Sequence, residues 1–115
     1  MSVLVVEDDY LIAINLCTSL RSHGFSVYDP VYRGEKAIEI SQKNKPDLVI
    51  LDINLKGQIN GIEAASEIKK SNPDVKFVFI TGYYTLEYKK KAKLLKPLAF
   101  LDKPVDFSEI LKIIK

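Results

Sequence analysis

The sequence predicts an α/β fold, doubly wound in three layers, with one parallel sheet covered by helices on both faces. Three observations lead there. Short uninterrupted apolar runs recur along the chain, V-L-V-V at residues 3–6 and L-V-I-L at 48–51 among them; such runs mark strands buried on both faces. Stretches with apolar residues at helical spacing separate them. The connections are short, so each strand–helix–strand unit implies a right-handed crossover to a parallel neighbour.

The 115 residues fit one domain, able to bury roughly two thirds of the surface its unfolded chain exposes. An apolar fraction of 47% and a charged fraction of 28% are ordinary for a soluble globular protein. The net charge of +2 gives a weak field that selects no polyanionic partner. Cys17 is the only cysteine and can form no internal disulfide, and no Cys/His cluster suggests zinc, so the reducing cytoplasm is the expected compartment. The apolar stretch Val3–Val6 is too short for a signal peptide or a membrane span, and no membrane association is expected.

Val3–Val6, ended by Glu7, Asp8 and Asp9, reads as the first strand. Ala13, Leu16, Cys17 and Leu20 then fall on one face of a helix that stops at Gly24, with Asp9 as its cap and Cys17 turned to the core. Phe25, Val27 and Asp29 alternate with Ser26 and Tyr28, which predicts a less buried edge strand closed by Pro30. A helix with Ala37, Ile38 and Ser41 inward ends before Pro46, and the third strand runs up to Asp52. The glycines of K-G-Q-I-N-G make a loop, after which Ile62, Ala65 and Ile68 mark a helix ending at Asn72-Pro73. Lys76–Ile80 is a strand by its aromatic and β-branched content, delivering Thr81 and Gly82. A Lys-rich helix carries Tyr88, Ala92 and Leu95 and is halted by Pro97. Leu98–Leu101 is the fifth strand, leading to Asp102, Lys103 and Pro104, and Asp106 caps a last helix carrying Ile110, Leu111 and Ile114. No terminator precedes Lys115, so this helix reads as short or cut.

Ligands of such sheets sit beyond the carboxyl ends of the strands, where strand order reverses. The polar residues obey that rule: Glu7 and Asp8 follow the first strand, Asp52 the third, Thr81 the fourth and Lys103 the fifth. If the first and third strands are neighbours, their ends lie about 5 Å apart. Like charges at about 4 Å repel by roughly 4 kcal/mol at an effective dielectric of 20, so three carboxylates there call for a cation. Oxygen ligands completed by water are the Mg²⁺ pattern. Lys103 adds a second positive charge and Thr81 a hydroxyl donor. A carboxylate so placed can attack phosphorus and hold the resulting acyl phosphate, which makes Asp52 the candidate nucleophile.

The segments V-L-V-V-E-D-D, P-D-L-V-I-L-D-I-N-L, F-I-T-G and F-L-D-K-P, in this order and spacing, resemble the receiver domain of two-component response regulators. Each piece alone is weak, whereas four pieces, each at a strand end, are specific. The resemblance covers residues 1–115 as one domain and implies a (βα)5 flavodoxin-like fold with strand order 2-1-3-4-5. It implies a phosphorylation-dependent signalling switch, with Asp52 as phosphoacceptor from a histidine kinase phosphohistidine, a phosphotransfer protein or a small phosphodonor. The chain would then be no conventional enzyme, catalysing only its own phosphorylation and dephosphorylation. By position, Asp8 would bind Mg²⁺ directly, Glu7 mostly through water, and Asn54 through its backbone carbonyl. Thr81 and Lys103 match the residues that grip the phosphoryl oxygens. Phe100 matches the aromatic switch that turns inward when the threonine moves, altering the face formed by the fourth helix, fifth strand and fifth helix. The implied partners are a kinase or phosphotransfer protein, a downstream protein or linked output domain, and a phosphorylation-linked homodimer; the chain would be a stand-alone receiver or one excised from a longer regulator.

Four positions depart from the family pattern: Gly82 where alanine is usual, Lys56 where proline is common, Asn60 where aspartate is common, and one extra residue in the loop after Asp52. Tyr83 and Asn54 occupy positions where the family tunes dephosphorylation, and the bulk of Tyr83 suggests a shield against water.

Plainer readings stand beside these. Taken alone, Asp52 is a turn or capping aspartate, and Phe100 is core. Lys89, Lys90, Lys91, Lys93 and Lys96 fan around their helix without arginine or aromatic partners nearby, so a solvated face is expected and no nucleic-acid site. His23 reads as a partner of the first helix's C-terminal dipole. The rival functions are a receiver-like adaptor that works without phosphorylation, a Mg²⁺-dependent aspartyl phosphatase, whose second acid would fall where Asn54 stands, and a flavin-binding module, which lacks its phosphate loop here.

Overall fold

In the computed structural model, which describes residues 1–115, five strands alternate with five helices. The strands are β1 (Ser2–Val6), β2 (Ser26–Val27), β3 (Leu48–Asp52), β4 (Lys76–Thr81) and β5 (Ala99–Asp102). The helices are α1 (Tyr10–Ser22), α2 (Gly34–Asn44), α3 (Gly61–Ser71), α4 (Leu86–Leu94) and α5 (Phe107–Ile114). All neighbouring strands are parallel, in the order β2-β1-β3-β4-β5. This is the flavodoxin-like order expected, and strand order reverses between β1 and β3.

The period-2 alternation of strand side chains divides the core in two. Leu4, Val6, Val49, Leu51, Phe77 and Phe79 meet Ala37, Ala65, Ile68 and Ala92 beneath α2, α3 and α4. Val3, Val5, Leu48, Ile50, Val78 and Ile80 meet Leu16, Cys17, Leu20, Ile110 and Ile114 beneath α1 and α5. All five residues of β3 are buried. Each fully buried Leu, Ile or Val contributes about 1.5–3 kcal/mol, so the central strand is the most firmly held mount in the molecule.

Helix ends follow their sequence signals. Asp9 accepts from the Ile12 N–H (3.1 Å) and Asp106 from the Ser108 N–H (3.1 Å). Asn60 and Glu63 cap α3 reciprocally, side chain to backbone in both directions at 2.9 Å. Gly24, at φ +88°, takes the left-handed turn after α1. His23 caps that helix with Nδ1 2.9 Å from the Ser19 carbonyl. No helix is long and apolar enough to cross a membrane.

The edge strand differs from expectation. Only Ser26–Val27 form β2, where the alternation predicts Phe25–Asp29. Pro30 has no N–H to give the ladder, and the chain bows there. Tyr28 and Val31 still donate to the Val3 and Val5 carbonyls (3.1 and 2.9 Å), so the edge continues as separated hydrogen bonds. β5 also begins one residue later than predicted, at Ala99, and runs through Asp102. On α2, Ala37 and Ser41 are buried and Ile38 half-buried; on α4, Ala92 is buried while Tyr88 and Leu95 are half-buried.

Candidate functional site

The site forms where β1, β3, β4 and β5 end together. Pairing of Val6 with Leu51 brings Glu7 and Asp8 level with Asp52, and pairing of Thr81 with Asp102 brings Lys103 alongside. All of the strand-end residues named from the sequence therefore converge. Glu7, Asp8 and Asp52 each present an oxygen within 4.8 Å of the others.

Asp52 is 2% exposed, and both its oxygens are held: Oδ1 accepts from the Asn54 N–H (2.9 Å) and Oδ2 from Lys103 Nζ (2.9 Å). Glu7 is fully buried, with Oε2 accepting from the Asp9 N–H (3.0 Å). Lys103 Nζ also lies 2.5 Å from Glu7 Oε1. That contact lacks hydrogen-bond angles, so Lys103 answers the oxygen as a charge while Oε1 stays without an aligned donor. Burial pushes the Glu7 carboxyl up to about 7, the Asp9 N–H and Lys103 holding it back and the Asp52 charge adding to the rise. Burial works to lower the Lys103 pKa, but close contact with the Glu7 and Asp52 carboxylates outweighs it and raises the ammonium above its ordinary value. Asp8 is half-buried and accepts from the Lys56 N–H (3.1 Å).

Three carboxylates lie together, only two of them, Glu7 and Asp52, paired with Lys103, and a buried oxygen of Glu7 lacks an aligned donor. This donor set fits a small hard cation such as Mg²⁺. Asp8, Asp52 and Asn54 line the open cleft above it, with Asp9, Lys56, Gly82, Tyr83 and Lys103. From below, α3 starts hard against the end of β3: the Gly61 N–H donates to the Ile53 carbonyl (2.8 Å), and a Cβ on Gly61 would stand 2.1 Å from the Asp52 carbonyl oxygen.

Thr81, 1% exposed, donates its hydroxyl to the Tyr83 carbonyl (2.6 Å) and accepts from the Tyr83 N–H (3.2 Å). Asn54 Nδ2 donates to Thr81 Oγ1 (2.6 Å) and to the Tyr83 carbonyl. The sequence named Asn54 for its backbone carbonyl and missed this side-chain contact. Its signal lies in the register: Asp52 pairs with Ile80, so two residues on, Asn54 comes level with the turn after Thr81.

Phe100 is half-buried and meets the Tyr84 ring edge-on, centroids 5.0 Å apart. Lys89 Nζ lies 5.5 Å from the Tyr84 centroid and 5.8 Å from that of Phe100. One lysine of the expected solvated face thus covers two rings, because the loop before α4 folds Tyr84 back towards β5, a contact that helical spacing does not reveal.

The response regulator receiver domain family model matches residues 3–115. The chain is 33% identical to the transcriptional regulatory protein PdtaR of Mycobacterium tuberculosis, over 98% of this chain and 54% of that protein, so it spans about half the length of that relative. It is 31% identical to sporulation initiation phosphotransferase F of Bacillus subtilis, over 98% of this chain and 90% of that one. Among solved structures, the signal receiver domain of a modulated diguanylate cyclase from Desulfovibrio desulfuricans superimposes with a TM-score of 0.90 at 32% identity, covering 98% of this chain and 89% of that one. A CheY-like receiver domain protein from Methanospirillum hungatei gives 0.92 at 25% identity, with the same coverages of 98% and 89%. Strand order, the converging strand ends and these matches agree: the chain belongs to the response regulator receiver domain family.

Proposed function

We propose that this receiver accepts a phosphoryl group on Asp52 and passes the change to the surface made by α4, β5 and α5. The observation that carries this is the state of Asp52: nearly buried, aimed into an open cleft, and oriented by the Asn54 N–H and Lys103. A carboxylate oxygen of Asp52 attacks phosphorus, the bond from phosphorus to the donor's imidazole nitrogen or acyl oxygen breaks, and its electron pair leaves with the donor. The product is an acyl phosphate. Lys103 neutralises charge on the transferring oxygens, and Thr81 donates to one of them. Asp8, Asp52 and the Asn54 carbonyl would hold Mg²⁺, with Glu7 behind them; when bound, the ion supplies further neutralisation of the equatorial oxygens. Loss of the group by hydrolysis at the same site returns the switch.

The donor is a histidine kinase, a phosphotransfer protein or a small acyl phosphate, and the output is a downstream protein or linked domain. Phe100 lies on β5 of the output face, and the apolar side chains of Leu86 and Leu94 at the ends of α4 and of Leu98 just before β5 are exposed, surface that a partner or a second copy would cover. Incubation with Mg²⁺ and acetyl phosphate or phosphoramidate, read by intact mass, tests the reading. One added phosphoryl group, absent in Asp52→Asn, is expected. No adduct with either donor would leave a phosphorylation-independent adaptor instead.

A further inference from the structure

The hydroxyl of Thr81 has one proton and two acceptor positions, and all three are engaged. The proton goes to the Tyr83 carbonyl, and the acceptor positions take the Tyr83 N–H and Asn54 Nδ2. A hydroxyl so saturated has nothing left to donate to an anion beside Asp52. Asn54 Nδ2 also reaches the Tyr83 carbonyl. The orientation of that amide is chemically fixed, since turning it over would set Oδ1 against the carbonyl oxygen of Tyr83. The backbone N–H of the same residue holds Asp52 Oδ1 at 2.9 Å. One residue therefore bridges the acceptor and the turn that follows Thr81.

We propose that the Asn54 side chain is a positioning residue, a latch that fixes Thr81 and the Tyr83 carbonyl in the resting arrangement. It must give way, together with the Thr81–Tyr83 bond, before Thr81 can turn to a phosphoryl oxygen. The proposal rests on the aspartyl-phosphate reading above. It adds a side chain that reacts with nothing yet sets how readily the site takes its group. Because the resting bonds compete directly with bonds to the anion, removing the Asn54 amide, whose Nδ2 is shared between Thr81 and the Tyr83 carbonyl, favours the anion-bound form by about fivefold, the worth of one neutral hydrogen bond.

Two measurements test it. In the resting protein without phosphodonor, Asn54→Ala is expected to accelerate hydrogen exchange of the Tyr83 amide, the N–H that Thr81 Oγ1 holds, by about tenfold, with Phe77–Phe79 unchanged as a control for the fold. Thr81→Val should do the same, and the double variant should exchange no faster than the faster single one, because both substitutions break one network. Independent, multiplying effects, or no effect of Asn54→Ala, would overturn the latch. Secondly, beryllofluoride with Mg²⁺, a mimic of an acyl phosphate, should bind Asn54→Ala about fivefold more tightly than wild type; equal or weaker binding would also overturn it. Should wild type bind no beryllofluoride and take no phosphoryl group, the phosphoacceptor reading falls, while the exchange cycle still decides the latch.

Discussion

Lys103 is one ammonium serving two buried carboxylates, Glu7 at 2.5 Å and Asp52 at 2.9 Å. Taking it away leaves two like charges out of water with no counterion. Lys103 is itself partly solvated, so Lys103→Met should cost about 2 kcal/mol, below the usual figure for breaking a fully buried pair. Urea unfolding at pH 7.5 without metal measures this, and added Mg²⁺ should recover part of the loss. The same variant should slow phosphorylation from acetyl phosphate by at least about tenfold, as a transferring group loses its fixed cation. Tyr83 is 68% exposed and stands on the cleft wall. If its bulk limits water at the acceptor, Tyr83→Ala should speed decay of the phosphoprotein several-fold; an unchanged decay rate would remove the shield. At this scale the residue types at strand ends were legible in sequence, because a charge after a buried strand has few structural explanations. The full burial of Glu7 and the reach of the Asn54 amide were not, since each depends on which residue of a neighbouring strand lies opposite.

Among the elements, α3 is the best terminated. Asn60 takes the place where an aspartate is common in the family and makes both halves of a reciprocal cap with Glu63. Asn60→Ala should therefore destabilise the protein by about 1 kcal/mol in denaturant unfolding, and Asn60→Asp should restore it. The capping amide does not require the family's acid, which explains how that departure is accommodated. The parallel strands β1, β3 and β4 were legible because burial on both faces leaves continuous apolar runs. β2 is shorter than its pattern: alternation over Phe25–Asp29 predicts a strand, and Pro30 breaks the ladder. The grouping of Tyr84, Phe100 and Lys89 lay beyond reach, since it joins a loop, a strand and a helix through a turn that has no sequence signature.

For the molecule as a whole, charge sits at both ends of the sheet. At the end opposite the site, Asp47 Oδ2 accepts from the Ser2 N–H (2.8 Å) and Ser2 Oγ (3.1 Å), tying the start of β1 to the start of β3. The backbone hydrogen bond from Ser2, then its hydroxyl, hold the Asp47 carboxyl below its ordinary value. A depressed acid stabilises the fold above its unfolded pKa of about 3.9 and loses that contribution as pH falls through the folded value. Melting temperature should thus fall as pH drops below about 4 in wild type, and Asp47→Asn should flatten that part of the curve. The strand order followed from the family resemblance. Apolar patterning alone is satisfied equally by other arrangements of the same parallel strands.

Gly61 has a consequence for anyone mapping this protein by mutation. It carries no functional group and lies at the first turn of α3, yet any Cβ there collides with the carbonyl that precedes Ile53 in the chain. In a saturation library, position 61 would score alongside Asp52 and Lys103, every replacement losing signalling by shifting the acceptor strand. Ranking positions by sensitivity would then enrol as chemistry a place where the molecule has simply run out of room.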